Sequence, residues 1–179
     1  MQKSHLFALV AAVLMLALTG PSTAHGPTPQ RVSHVVRIAA SAEAVWGIVR
    51  DPVLLAAWHP MVESARTDGK ARGAKRTVVL ASGGSVIDGI DDVNDETMTI
   101  RWRLSRENID VIPVSYYTND ITVTAAGEGA TVEWRASFFR ADTTNEPEGR
   151  YSDDAAVEVM ETYVKKGLSG LKKLAETGE

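Results

Sequence analysis

The chain has 179 residues, 44% of them hydrophobic and 23% charged, with a formal net charge of −4. These are proportions of one globular domain rather than of a disordered or collagen-like chain. It contains no cysteine, which removes thiolate nucleophiles, Cys-ligated zinc and iron–sulfur clusters. Its acidity gives no general attraction for a phosphate backbone, so a nucleic-acid partner is not expected.

The first segment reads as an export signal. Lys3 precedes an apolar run from Leu6 to Leu18, followed by Thr19-Gly20-Pro21 and the small residues Ser22, Thr23 and Ala24. The basic start, the short apolar stretch and the small residues predict cleavage after Ala24, a periplasmic destination and no membrane attachment after cleavage; an uncleaved anchor is the alternative. Cleavage would make His25 the N-terminus. Its amine and imidazole suit copper if a second ligand came from distant His34 or His59; otherwise it is a frayed end. No other metal site and no cofactor is expected.

Residues 25–30 form an extended arm with two prolines, Pro27 and Pro29, and a single domain is expected over residues 31–176. Val32, His34, Val36 and Ile38 alternate with Ser33, Val35 and Arg37, a period of two that predicts the first strand. Ser41 stands as the N-cap of a short helix carrying Val45, Trp46, Ile48 and Val49 and ending near Asp51-Pro52. A second short helix, Val53 to Trp58, stops at His59-Pro60, because the residue before proline disfavours helical backbone.

An antiparallel meander follows. Lys75 to Ser82 and Ser85 to Asp92 flank Gly83-Gly84, a two-residue hairpin signal. Met98, Ile100, Trp102 and Leu104 alternate with Thr99, Arg101 and Arg103, and Val114 to Ala125 pairs with Ala130 to Ala141 across Ala126-Gly127-Glu128-Gly129. In the last strand Val132, Trp134, Ala136 and Phe138 share one face. From Ser152 a long helix of about 24 residues carries an apolar stripe through Ala156, Val159, Met160, Tyr163, Val164, Gly167, Leu168, Leu171 and Leu174, with Lys165, Lys166, Lys172 and Lys173 on its wet side. The predicted class is α+β: a curved antiparallel sheet of about seven strands around a long C-terminal helix, with two short helices after the first strand.

These features resemble the START-like (SRPBCC) superfamily, the helix-grip fold of Bet v 1-type plant allergens and polyketide cyclases. The residues that carry the resemblance are Ala44-Val45-Trp46, Asp51-Pro52 and Trp58-His59-Pro60, then the meander and final helix. A closer likeness is to the MxaD-like accessory proteins of methanol oxidation. It rests on the stretch from His25 to Gln30, on Arg103-Leu104-Ser105 with Glu107-Asn108, on Pro113-Val114-Ser115-Tyr116, on Val132-Glu133-Trp134 and on Phe139-Arg140-Ala141-Asp142. That likeness implies a periplasmic helper of the quinone-dependent methanol dehydrogenase and its cytochrome c acceptor.

No nucleophile elbow, phosphate loop, zinc-protease motif or dinucleotide fingerprint is present. The chemistry left to weigh lies between sheet and helix. His59 is the most eligible acid or base, or else it caps the short helix or bonds a loop carbonyl. Trp58, His59, Trp102, Tyr116, Tyr117, Trp134, Phe138 and Tyr163 are expected to line a cavity for a small hydrophobic ligand, or to fill the core instead. Gly167 would make room on the sheet-facing stripe, while Gly170 is expected to loosen the wet face. An acidic hairpin end (Asp88, Asp91, Asp92, Asp95, Glu96) and a basic one (Lys70, Arg72, Lys75, Arg76) would orient a protein partner, or are simply solvated turns. Three functions are thus in view: an accessory factor, a carrier for a small hydrophobic ligand, and a cyclase or dehydratase.

Overall fold

The computed structural model describes residues 26–178. The export signal and His25 lie outside them. Seven strands form one sheet in the order β1-β7-β6-β5-β4-β3-β2, and every neighbouring pair is antiparallel. The strands are β1 (Gln30–Ile38), β2 (Val62–Thr67), β3 (Lys75–Leu80), β4 (Ser85–Asn94), β5 (Thr99–Arg106), β6 (Val114–Ala126) and β7 (Gly129–Arg140). Helix α1 (Ala42–Val49) follows β1, then a 3-10 turn (Pro52–Leu54), α2 (Leu55–Trp58) and, at the end of the chain, α3 (Asp153–Thr177).

Local chemistry sets the helix ends. Ser41 Oγ accepts from the Ala44 N–H at 3.2 Å and Ser152 Oγ from the Ala155 N–H at 3.3 Å, so each hydroxyl satisfies one orphan donor of a first turn. Asp51 accepts from the Val53 N–H at 3.1 Å, and Pro52 then opens a 3-10 turn before four residues of true α-helix. The expected single helix from Val53 to Trp58 is therefore two pieces, a tighter 3-10 turn and a short α-helix.

Alternation builds the rest. Trp102, Trp134, Ala136 and Phe138 point into the core, while Arg101, Arg103 and Arg135 on the same strands face water. Ala156, Met160, Tyr163, Val164, Gly167, Leu168 and Leu171 form the buried stripe of the 25-residue α3. The helix is fastened at both ends. Arg140 of β7 pairs with Asp153 at 2.7 Å, while Lys172 donates to the Arg37 carbonyl at 2.9 Å and the Ala39 N–H donates to Glu176 at 2.7 Å.

Two elements depart from the expectations. Strand β2 lacks a legible pattern because only Val62 of its six residues is buried and its register with β3 shifts after that residue. The β3–β4 hairpin turns through Ala81–Gly84 rather than through two residues, since the Leu80 N–H donates to the Gly84 carbonyl and Val79 pairs with Ser85. Gly83 and Gly84 adopt φ of 92° and 79°, the left-handed backbone that glycine enters without steric cost. Among the described residues, no helix is long and apolar enough to cross a membrane.

Candidate functional site

The interval between sheet and α3 holds an aromatic block. The His59 ring lies 4.0 Å from that of Tyr163, and Trp134 stands edge-on at 5.7 Å from Tyr163 and 5.8 Å from His59. Trp58 and Trp102 close on Trp134 at 5.8 and 5.6 Å. Edge-to-face contacts at these spacings add to area burial. The Trp134 indole N–H donates to Asn119 Oδ1 at 2.8 Å, so this large ring is anchored as well as buried.

Gly167 explains how α3 comes so close. A methyl group at its α-carbon would stand 2.5 Å from Trp134 Cζ3 and 2.8 Å from His59 Nε2. The room expected beside Gly167 for a ligand is taken by the rings of Trp134 and His59. Gly170 does not loosen a wet face: a methyl group there would collide with the Trp58 carbonyl oxygen, so this glycine lets α2 and α3 touch.

His59 is only 1% exposed. Its Nδ1 accepts from the Met61 N–H at 3.2 Å, while Nε2 faces α3 without a well-formed hydrogen bond. Burial holds the imidazole down to about 3, against a smaller upward pull from the Tyr163 backbone. The ring is thus neutral near pH 7, and its lone pair is already engaged. In this position it pins the loop after α2.

Beside the rings lies a polar cluster that unites residues expected at opposite hairpin ends. Arg76 and Asp88 are both buried and joined by two hydrogen bonds, Nη2 to Oδ2 at 2.6 Å and Nε to Oδ2 at 3.0 Å. The Tyr117 hydroxyl donates to the other oxygen, Oδ1. The Arg76 guanidinium stands 5.0 Å over the Trp102 ring and donates to the Pro52 carbonyl at 3.4 Å. Burial, then the Asp88 charge, drives the Tyr117 phenol well above its ordinary range, and the same two causes raise that of Tyr163. Both carboxylate oxygens of Asp88 therefore have partners inside the protein.

A sequence signal for this pair existed. Arg76 shares the frame of Val78 and Leu80, and Asp88 that of Val86 and Ile90, so each charge stands on the apolar face of its strand. A two-residue turn centred on Gly83-Gly84 would place Arg76 opposite Asp91; the observed register places it opposite Asp88. The remaining charges of the two expected patches are dispersed. Asp95 accepts from Trp46 Nε1 at 2.8 Å and from Arg50 at 3.0 Å, Lys70 pairs with Asp51 at 2.6 Å, and Asp91 with Arg103 at 3.2 Å.

Of the residues expected to line a cavity, Trp58, His59, Trp102, Tyr117, Trp134, Tyr163 and Gly167 converge on this one region, and Phe138 is buried further along β7. Tyr116 is the exception and must be corrected. A bulge between Ser115 and Thr118 turns it outward, and it is 73% exposed, away from the core. It borders a surface groove of about 340 Å³ with Leu104, Ser105, Arg106 and Glu107. Among the described residues no cluster of three His, Cys, Asp or Glu side chains is arranged to hold a metal ion.

With this geometry in view, residues 29–176 match the family described as polyketide cyclase/dehydrase and lipid transport. The chain belongs to that family. No curated protein matches it at a significant level. Among solved structures, members of the same general fold stand nearby. The protein XoxI of Bacillus cereus superposes with a TM-score of 0.67 at 20% identity, covering 81% of this chain and 94% of that one. Norcoclaurine synthase of Thalictrum flavum, in complex with dopamine and hydroxybenzaldehyde, gives 0.60 at 17% identity over 88% of this chain and 93% of that one. Ara h 8.0201 gives 0.63 at 12% identity over 83% and 98%. At such identities the likeness is one of Bet v 1/START-like fold.

Proposed function

We propose that this protein is an exported, non-catalytic accessory factor of periplasmic methanol oxidation, which helps the quinone-dependent dehydrogenase engage its cytochrome c acceptor by protein contact. The observation that carries the reading is the seating of Gly167 against Trp134 and His59. A helix-grip protein whose interior is packed with its own side chains is suited to act from its surface. The state of His59 points the same way, since its basic nitrogen is spent on the Met61 N–H. The redox group belongs to the dehydrogenase, and the partner pair comes from the likeness at Arg103-Leu104-Ser105, Pro113-Val114-Ser115-Tyr116 and Phe139-Arg140-Ala141-Asp142.

The test is a reconstituted electron-transfer assay. Added in substoichiometric amount, the purified protein should raise the rate of cytochrome reduction by the dehydrogenase with methanol present. An unchanged rate across a range of added protein would refute the role.

A second reading, a carrier for a small hydrophobic ligand, is favoured by one observation: Trp58 Nε1 and His59 Nε2 are buried without partners, a state that a polar group on such a ligand would relieve. Mass spectrometry of gently extracted protein would reveal such a ligand; an empty extract would remove this reading.

A further inference from the structure

One end of the outer sheet face carries features that the packed interior does not explain. Tyr116 has a φ of 52°, a left-handed conformation that a bulky side chain rarely adopts. The bulge that imposes it aims Tyr117 inward at Asp88 and Tyr116 outward, with the outer ring held edge-on to Phe139 at 6.4 Å. A rigid aromatic presented to water on a strained backbone is a device of binding surfaces rather than of cores.

Arginines lie beside it. Arg103 pairs in register with Thr118, and Arg31 with Ser137, so the two stand at either end of the row adjacent to the Tyr116–Phe139 pair. In the next row Arg101 and Arg135 both stand opposite Asp120. Arg101, Arg103 and Arg135 reach Asp120, Asp91 and Glu133 through Nε, at 2.6, 3.2 and 3.9 Å, and each side chain is more than half exposed. Their Nη groups are therefore left for a second carboxylate. Arg31 and Arg106 are exposed and form no ion pair among the described residues.

We propose that this outer face of β1, β7, β6 and β5 is the docking surface for a folded protein partner that presents a carboxylate-rich patch, with Tyr116 as its central anchor. This rests on the accessory reading above. The cations around the anchor are all arginine, whose planar fork matches a carboxylate in two parallel bonds as lysine does not. Tyrosine and arginine are also the side chains that dominate binding energy at protein interfaces. The chain as a whole carries −4, so an acidic partner is repelled in general and drawn here, which fixes its orientation.

The probes are purified methanol dehydrogenase and its cytochrome c, each titrated against the intact protein at low and at 0.5 M salt. The variants are Tyr116→Asn, which tolerates the left-handed backbone while removing the ring, and Arg103→Glu, which reverses one charge without touching the bulge. One of the two probes should bind the unaltered protein, severalfold more weakly at high salt. Each variant should weaken that binding about tenfold or more with an unchanged thermal midpoint. Unaltered binding by both variants would overturn this surface while leaving the accessory reading intact. Failure of the unaltered protein to bind either probe would overturn both. Tighter binding to phosphatidylglycerol vesicles or to single-stranded DNA than to either protein would mark a general polyanion surface and also overturn the proposal.

Discussion

Gly167 and Trp134 are in contact so close that no side chain fits between them: a Cβ on the glycine would lie 2.5 Å from Cζ3 of the indole. This contact sets how closely α3 approaches the sheet at the ring block.

Gly167→Ala should therefore destabilise the protein. Alanine improves helix propensity by about 1 kcal/mol, but overpacking a tight core costs about 1–3 kcal/mol, and here the obstacle is an indole anchored to Asn119. Urea denaturation should place the variant below the parent; a gain in stability would mean that α3 shifts freely. Gly170→Ala should cost more, because it meets the Trp58 carbonyl, which is backbone and yields less.

The buried ion pair makes an asymmetric prediction. Asp88→Asn leaves Arg76 charged in a closed interior, at a cost of about 3–5 kcal/mol. Tyr117→Phe removes only one donor to the carboxylate, at about 1–3 kcal/mol. By contrast Asp120→Asn, which breaks an exposed pair with Arg101, should change stability by less than about 1 kcal/mol. Chemical denaturation of the three variants orders them, and equal effects would contradict the burial argument.

His59 should leave a signature in acid. Its pKa is lowered from 6.5 to about 3 in the folded state. Between those values the unfolded chain binds the extra proton, so stability rises with pH across this window and falls as pH drops from 6.5 toward 3. The limiting slope for one group is about 1.4 kcal/mol per pH unit. His59→Asn should flatten the dependence in this window relative to the parent. Parallel curves would show that the ring protonates without resistance.

The cap of α3 offers a local test. Ser152→Ala removes the acceptor of the Ala155 N–H and should cost about 1 kcal/mol. Ser152→Thr, which keeps the oxygen, should restore most of that in thermal melts.

Where a side chain obeyed a simple period, the sequence was sufficient to place it. The faces of β5 and β7, the Ser41 and Ser152 caps and the long amphipathic helix follow from spacing alone. What spacing left open was set by register and by contact between distant segments. The face presented by Asp88 depends on a four-residue turn, and that of Tyr116 on a bulge that breaks alternation within β6. Gly170 gave no local sign that it faces α2, because its reason for being small is a carbonyl more than a hundred residues away in sequence.

The pairing of β1 with β7 carries a consequence for biogenesis. The first strand finds its hydrogen-bonding neighbour only in the last strand, Ile38 opposite Ala130 and Gln30 opposite Phe138. Closing so long a loop is entropically slow, and the order of events runs against synthesis. While the chain is emerging, its N-terminal edge waits without a mate until nearly the whole polypeptide is available. Any truncation ahead of Gly129 would strand that edge, exposing it to aggregation or to a holding chaperone.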